Sequence, residues 1–302
     1  MKWSSSAPAN LMIMGEHSVV FGHRAIATAL NQRITIDWES RSDKQIHILS
    51  ALGEHQTSLD TLEDHTALRW VMATLRHFRP ELSHGFNIEI RSEFESTLGL
   101  GSSAAVLAAM LGGVLFHLRK KLTRIETFQI GHKIIQQVQG RGSGTDLAAS
   151  LAGGMILFNP KKQTISKIDK TLPLSLIYSG YKTPTGEVLQ KVSSDWQTQP
   201  KLLDELYHLM GSVTKKAFNS LQENNMEAFY HLINTYQGLM DALGVNDQTL
   251  SRIVYALREH KDIHASKISG SGLGDCVLGF GENSQDDTFL KPFQQISIQT
   301  SQ

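Results

Sequence analysis

Cysteine is almost absent from this chain: Cys276 stands alone among 302 residues. One thiol excludes an internal disulfide framework and a cysteine-rich metal site, and it suits a reducing compartment. An excess of charge is missing too, since Lys plus Arg and Asp plus Glu both number 29. Without a global positive field, no nucleic-acid partner and no acidic membrane surface is expected. No uncharged apolar stretch approaches the roughly 20 residues of a spanning helix. The start, Met1-Lys2-Trp3-Ser4-Ser5-Ser6, lacks the apolar core of a signal peptide. These absences together lead to the expectation of a soluble, cytoplasmic protein. The 13 histidines fall into no metal-ligand spacing, so most are expected at the surface or hydrogen-bonded. Internal repeats and low-complexity tracts are also absent.

What is present suffices for a full core: 40% of the residues are hydrophobic, 19% are charged and 24 are glycine. A chain of this length suits two lobes of one enzyme-sized unit. Residues 33–38, 45–49 and 85–90 alternate apolar and polar side chains, as half-buried strands do. Leu68, Val71, Met72, Leu75 and Phe78 recur at helical spacing and mark an amphipathic helix. Residues 106–118 are uniformly apolar and predict a helix buried against a sheet, and 123–139 predict another helix. Segments 155–158 and 174–178 read as central strands. From Pro200 onward helical spacing dominates, with Leu206, Leu209, Met210, Val213, Ala217 and Leu221 on one stripe and Phe229, Leu232, Tyr236, Leu239, Met240 and Leu243 on the next. A Lys-rich turn and short polar segment at 161–173 marks the expected boundary, giving domains 1–170 and 171–302.

The run Leu-Gly-Leu-Gly-Ser-Ser-Ala-Ala at 98–105 precedes the apolar helix. Glycines let a backbone approach a polyphosphate, and the start of a helix offers unpaired N–H donors at its positive end. A glycine-rich helix start also serves simply to pack a helix onto a sheet, and the run alone leaves both readings open. It lacks the Gly-Lys-Ser/Thr ending of a Walker loop and the dinucleotide fingerprint G-x-G-x-x-G. A second glycine-rich segment, Lys267-Ile-Ser-Gly-Ser-Gly-Leu-Gly-Asp-Cys276, carries Gly270, Ser271 and Gly272 in what reads either as a turn or as an anion-binding nest. Near the start, Glu16 and His17 sit at a glycine bend between apolar runs, placed either for a substrate or as a hydrogen-bonded bend.

These three segments, in this order, resemble the three motifs of the GHMP kinases, the superfamily named for galactokinase, homoserine kinase, mevalonate kinase and phosphomevalonate kinase. The first looks like A-P-x-K-x-x-L-x-G-E-H-x-V-V-x-G, the second like P-x-x-x-G-L-G-S-S-A-A, and the third like K-x-T/S-G-x-G-x-G-G/D-C. The resemblance covers nearly the whole chain. It implies an α+β fold of two lobes: an N-terminal α/β lobe with a left-handed β-α-β unit and a C-terminal ferredoxin-like lobe. It further implies ATP and Mg²⁺ as cofactors and a small-molecule acceptor as partner. By position, Gly99, Leu100, Gly101, Ser102, Ser103 and Ala104 would line the triphosphate together with Gly270, Ser271 and Gly272, and the Ser103 hydroxyl would face the metal. A fourth segment, Gln139-Gly-Arg-Gly-Ser-Gly-Thr-Asp146, looks like the family stretch G-x-x-S-G-x-D, which makes Asp146 the expected base on the acceptor hydroxyl. From the residues alone, Asp146 reads rather as the N-cap of a helix beginning at Leu147, and it is the motif context that reverses that preference.

Glu16 and His17 match positions that contact the acceptor. The motif lysine is Asn10 here, also expected at the substrate, so a cation is missing that Arg141 or Lys182 would have to supply. Lys182, with Thr183 and Thr185, lies after a predicted strand, either as a clamp for a carboxylate or phosphate or as a solvated turn. Ile135 stands eleven residues before Asp146, where mevalonate kinases carry a metal-binding glutamate, and Glu95 replaces the motif proline. The Glu16-His17-Ser-Val-Val-Phe-Gly22 stretch is most like mevalonate kinases, whereas Gly274-Asp275-Cys276 is similar to phosphomevalonate kinases. The expected activity is therefore transfer of the ATP γ-phosphate to mevalonate, with phosphomevalonate and then a sugar as alternative acceptors. A non-catalytic binding homologue is the remaining alternative; Asn10 and Ile135 motivate it, and Asp146 with Ser103 argues against it. Zero net charge favours neither a monomer nor the homodimer that is one expected assembly.

Overall fold

The computed structural model describes residues 1–95, 98–281, 290, 293–296 and 298–300. The chain forms two compact units. Unit 1 comprises Met1–Asn10, Gln32–Ser96 and Leu100–Ala152, and unit 2 comprises Leu11–Asn31, Thr97–Gly99 and Gly153–Gln302. The units are interleaved because strands β1 (Lys2–Met14) and β2 (Ala25–Ser40) each contribute to both.

Unit 1 adds β3 (Gln45–Ser50), β4 (Gly53–Ser58), α1 (Arg69–Phe78), β5 (Phe86–Ser92), α2 (Ser102–His117), α3 (Arg124–Gln139) and α4 (Thr145–Ala152). Its strands run in the order β4-β3-β5-β2. Here β3 and β5 are parallel, with Ile46 opposite Phe86, and the chain between them passes through β4 and α1. Alternation puts Ile34, Ile36 and Trp38 of β2 and Ile46 and Ile48 of β3 in the core, as the period of two predicts. The apolar helix α2 is buried on nearly all sides and packs against α1, α3 and α4. Fully burying each of its leucines, Leu107 and Leu111 among them, contributes about 1.5–3 kcal/mol. Gly113 is required where α2 meets the sheet, since a Cβ there would stand 2.3 Å from Trp38 Nε1. A capping box starts α3: Thr123 Oγ1 accepts from the Glu126 amide while Glu126 Oε2 accepts from the Thr123 amide at 2.7 Å.

Unit 2 holds two layers of its own. The early half of β2 pairs with β6 (Met155–Asn159), Ala25 opposite Phe158, and β6 pairs with β7 (Thr164–Ile168). The segment expected as a polar boundary thus contains the strand β7. Its burial signal is weak because it lies at the end of the strand order with mostly exposed side chains, so alternation is hard to see in sequence. The second sheet has the order β11-β8-β10-β9, from β8 (Leu174–Tyr178), β9 (Ile263–Ser269), β10 (Cys276–Gly281) and β11 (Gln294–Ile296), all pairs antiparallel. First and third strands in the centre are the arrangement of a ferredoxin-like split β-α-β. Between β8 and β9 run α5 (Thr185–Asp195), α6 (Pro200–Gln222), α7 (Met226–Leu243) and α8 (Gln248–Glu259), with α7 and α8 packed on β9. Asn225 and Asp247 cap α7 and α8 with their side-chain oxygens. The α6 stripe is rotated from the expected one: Tyr207 is buried and Leu209 is 51% exposed. Among the described residues no helix is long and apolar enough to cross a membrane.

Candidate active site

In unit 1, Gly101 adopts the left-handed conformation (φ 65°) and ends the loop that starts α2. No other residue fits: a Cβ there would meet the Asn10 amide at 2.1 Å. The first helical bond runs from the Ala105 amide to Gly101 O at 3.0 Å. The preceding amides, on Ser103 and Ala104, therefore lie at the positive end of the helix without a helical acceptor. Ser103, half-buried in this first turn, carries the hydroxyl expected to face a metal.

Asn10 is 1% exposed, and its amide is committed. Nδ2 donates to Ser150 Oγ at 2.9 Å and to Gly101 O at 3.4 Å, Ser150 Oγ donates to Pro8 O at 2.8 Å, and the Asn10 backbone amide donates to Leu100 O at 3.0 Å. Asn10 therefore joins β1, the glycine loop and α4. Ile135, at the position of the family's glutamate, is a core residue whose Cγ2 lies beneath Gly142.

Asp146 is exposed in the first turn of α4. The helix begins at Thr145, so Asp146 lies inside it rather than at its N-cap; Ser143 Oγ, instead, accepts from the Thr145 amide at 3.2 Å. The turn before it is held down by His132 and Gln136 of α3, both bonded to Gly142 O. A Cβ on Gly144 would strike the Phe128 ring at 2.9 Å. These contacts fix where the chain enters α4, and hence where Asp146 emerges.

In unit 2 the bend expected from Glu16 and His17 is a tight one. Gly15 has φ 111°, with Ala25 so close that a Cβ would come within 2.6 Å of its Cα, and His17 itself has φ 57°. Both residues are 4% exposed. Glu16 Oε1 meets Lys267 Nζ at 2.5 Å, and Lys267 is fully buried. Its ammonium also donates to the Ile268 carbonyl and lies 5.7 Å from the Tyr236 ring centroid. Tyr236 Oη donates to the Glu16 carbonyl at 2.8 Å.

His17 Nε2 lies 2.8 Å from the Ser271 carbonyl, an acceptor, so the proton sits on Nε2 and Nδ1 keeps a lone pair. Burial pushes the His17 pKa below its ordinary value, which keeps the ring neutral at neutral pH. At this bend two buried acceptors, Glu16 Oε2 and His17 Nδ1, are each without a hydrogen-bond partner. Such groups are costly unless something supplies donors.

The loop after β9 is built on positive φ at Gly270, Gly272, Leu273, Gly274 and Asp275. The Leu273 and Asp275 amides go to the carbonyls of Val245 and Tyr181, whereas among the described residues no backbone carbonyl takes the amides of Gly270, Ser271 and Gly272. Of the two readings of this segment, turn or anion-binding nest, the nest is the one that needs these three amides. Gly99, from the first glycine run, sits against Asp275, whose Oδ1 would be 2.8 Å from an added Cβ. Lys182 is 3.2 Å from Asp275 Oδ1, and Thr183 Oγ1 donates to Leu273 O at 2.6 Å. Burial raises the Asp275 pKa, and Lys182 opposes that rise. Lys182 and Thr183 thus brace this loop.

Among the described residues no cluster of three or more His, Cys, Asp or Glu side chains is arranged for a metal. The donor expected there, the Ser103 hydroxyl, suits a hard cation that takes most of its ligands from phosphates and water. A concavity of about 780 Å³ on the unit 1 sheet, lined by Trp3, Asp37, Arg41 and His55 among others, contains none of these residues. The residue that sequence reading left without a role is Lys267. A lone lysine within the buried strand Ile263–Ser269 was the signal, because such a charge requires a partner.

Two family models match the chain, GHMP kinases N terminal domain at residues 69–154 and GHMP kinases C terminal at 216–291. A mevalonate kinase of Pyrococcus furiosus is 33% identical over 305 residues, covering 94% of this chain and 91% of that protein. The crystal structure of the Methanococcus jannaschii mevalonate kinase superposes with a TM-score of 0.80 at 20% identity, covering 100% of this chain and 98% of that one. Streptococcus pneumoniae phosphomevalonate kinase, in complex with phosphomevalonate and AMPPNP, gives 0.81 at 16% identity over 99% of each chain. The fold therefore does not discriminate between the two acceptors, and sequence identity has to.

Proposed function

This chain belongs to the GHMP kinase family, and from that premise we propose that it transfers the γ-phosphate of ATP to the primary hydroxyl of mevalonate, giving phosphomevalonate and ADP. The observation that carries the acceptor assignment is the Glu16-His17 bend, which presents two buried acceptors with no partner. A polyhydroxylated acceptor supplies the donors they lack. Identity of 33% to a mevalonate kinase over nearly the whole chain supports the same choice.

Phosphoryl transfer asks little covalent work of a protein; positioning and charge stabilisation dominate. The acceptor oxygen attacks the γ-phosphorus, the bond to the β-phosphate oxygen breaks, and the acceptor proton passes to Asp146. Exposure of Asp146 on a braced helix start suits such a contact. Gly99, Leu100, Gly101, Ser102, Ser103 and Ala104 are the proposed cradle for the triphosphate, and Gly270, Ser271 and Gly272 supply further amides. Mg²⁺ would be held by the Ser103 hydroxyl and phosphate oxygens, and when bound it supplies neutralisation of phosphate charge. Asn10 acts by tying the cradle to α4. We also propose 1–170 and 171–302 as the extents of the two family domains; the matched cores fall one on each side.

Phosphomevalonate is the second reading, motivated by the Asp275 variation. A phosphorylated acceptor needs an extra cation, and of the two candidates the sequence offers, Arg141 and Lys182, Lys182 is already paired with Asp275 at 3.2 Å. A coupled assay of ADP release with mevalonate, phosphomevalonate, galactose and homoserine tests the proposal. Saturable turnover with mevalonate at the highest kcat/KM is expected. Preference for another of the four would transfer the assignment to it, and ATP binding without turnover on any would remove the enzyme reading.

A further inference from the structure

Lys267 is the most deeply buried charge at the proposed acceptor bend, with no exposed surface. An ammonium taken out of water costs several kcal/mol unless its donors are met. Here each direction is met: Glu16 Oε1 at 2.5 Å, the Ile268 carbonyl, and the face of Tyr236. The burial lowers the Lys267 pKa and the adjacent Glu16 carboxylate opposes that effect.

Support for the pair extends to the backbone. Tyr236 of α7 holds the Glu16 carbonyl, and the next residue on the same helix, Gln237, accepts from the Ile268 amide at 2.7 Å. Glu16 is thus fixed at both its main chain and one carboxylate oxygen, so its second oxygen, Oε2, has little freedom of direction. That oxygen is buried and unpartnered, as is His17 Nδ1 on the neighbouring residue. A salt bridge alone would be met as well by a carboxylate that used both oxygens on the lysine. The arrangement instead spends one oxygen on Lys267 and leaves the other available.

We propose that Lys267 is a positioning residue for acceptor binding: it anchors Glu16 through Oε1 so that Oε2 is held ready to accept a hydrogen bond from an acceptor hydroxyl. Lys267 itself does not touch the acceptor. The proposal rests on the reading of the Glu16-His17 bend as the acceptor site.

A double-mutant cycle on the full chain separates this role from simple structural support. Wild type, Lys267→Met, Glu16→Gln and the double variant are assayed for mevalonate KM, ATP KM and kcat, well below each variant's unfolding temperature. Lys267→Met is expected to raise mevalonate KM by about 10- to 100-fold, the value of one charge-assisted hydrogen bond, with ATP KM within about two-fold by the same scale. Glu16→Gln should raise it comparably, and the double variant no further than either. Multiplicative effects in the double variant would overturn the proposal, as would an unchanged mevalonate KM in Lys267→Met or an equal rise in both KM values. If Lys267→Met does not fold, the double variant, which leaves no buried charge unpaired, is compared with Glu16→Gln: equal KM values support the proposal and a further rise overturns it. Wild type that shows no saturable dependence on any acceptor defeats the acceptor reading and this inference with it, whereas a saturable wild type with an unaffected Lys267→Met defeats the inference alone.

Discussion

Around Gly101 in unit 1 the chain offers main-chain amides and side chains open to water; around Glu16 in unit 2 it offers charges with almost no exposed surface. The first region is shaped by positive φ at Gly101 and Gly144 and by hydrogen bonds from Asn10, His132 and Gln136. The second is shaped by an ion pair sealed beneath a tyrosine. A backbone-built region has no buried ion pair to break, and Asn10 holds the loop through its amide hydrogen bonds. A region built on desolvated charge does not tolerate loss of a charge, because removing one partner strands the other.

The comparison is tested hardest at Asp146. Asparagine there keeps the shape of the side chain on an exposed first turn, so folding and ATP affinity should be unchanged while kcat falls by about 10²- to 10⁴-fold, the usual contribution of a positioned general base. Undiminished turnover would remove Asp146 from the mechanism. Next in size is Gly101→Ala. Left-handed backbone costs a non-glycine residue about 1–2 kcal/mol and the clash with the Asn10 amide about 1–3 more. Chemical denaturation should show a loss of about 2–5 kcal/mol, together with a raised ATP KM. An alanine variant as stable as wild type would show that the loop is not held by the close approach of Asn10.

A smaller loss is expected for Asn10→Ala. It strips donors from Ser150 Oγ and Gly101 O, for about 1–2 kcal/mol in denaturation, with ATP KM rising more than mevalonate KM because the cradle is what loosens. A change confined to mevalonate KM would instead make Asn10 a direct acceptor contact.

The same contrast explains what could be seen in the sequence. Unit 1 was legible because its signals are local: alternation in 45–50 and 86–92, one apolar helix, and glycines where the backbone turns left. In unit 2, Glu16 and Lys267 lie 251 positions apart, and neither stretch reveals that they are partners. A family motif supplied both segments, but only coordinates show that they meet. Likewise β7, mostly exposed, and α5, which begins right after the Lys182 turn, carried too little apolar periodicity to be distinguished from loop. The Leu209 misplacement has a related cause: with apolar residues at 206, 207, 209 and 210, the stripe of α6 can be drawn on two faces, and tertiary packing chose the one carrying Tyr207.

The smallest predicted effect bears on the buried side of the comparison. His17 is held neutral by burial, with a pKa below its ordinary value of about 6.5. The unfolded chain therefore binds a proton at His17 more readily than the folded one, and stability must rise with pH through the region below that value. Stability from this group is complete above the unfolded pKa and is lost as the pH falls toward the folded one, with a slope of at most about 1.4 kcal/mol per pH unit. His23, His77 and His117 have pKa values lowered by burial in the same direction, so wild type alone cannot isolate one ring. The difference between wild type and His17→Gln can. Denaturation free energies measured between pH 7.5 and 5.5 should fall more steeply for wild type than for the variant, because glutamine has no proton to gain. Parallel pH profiles would mean that His17 is solvated rather than sealed, and the contrast between the two regions would then rest on Glu16 and Lys267 alone.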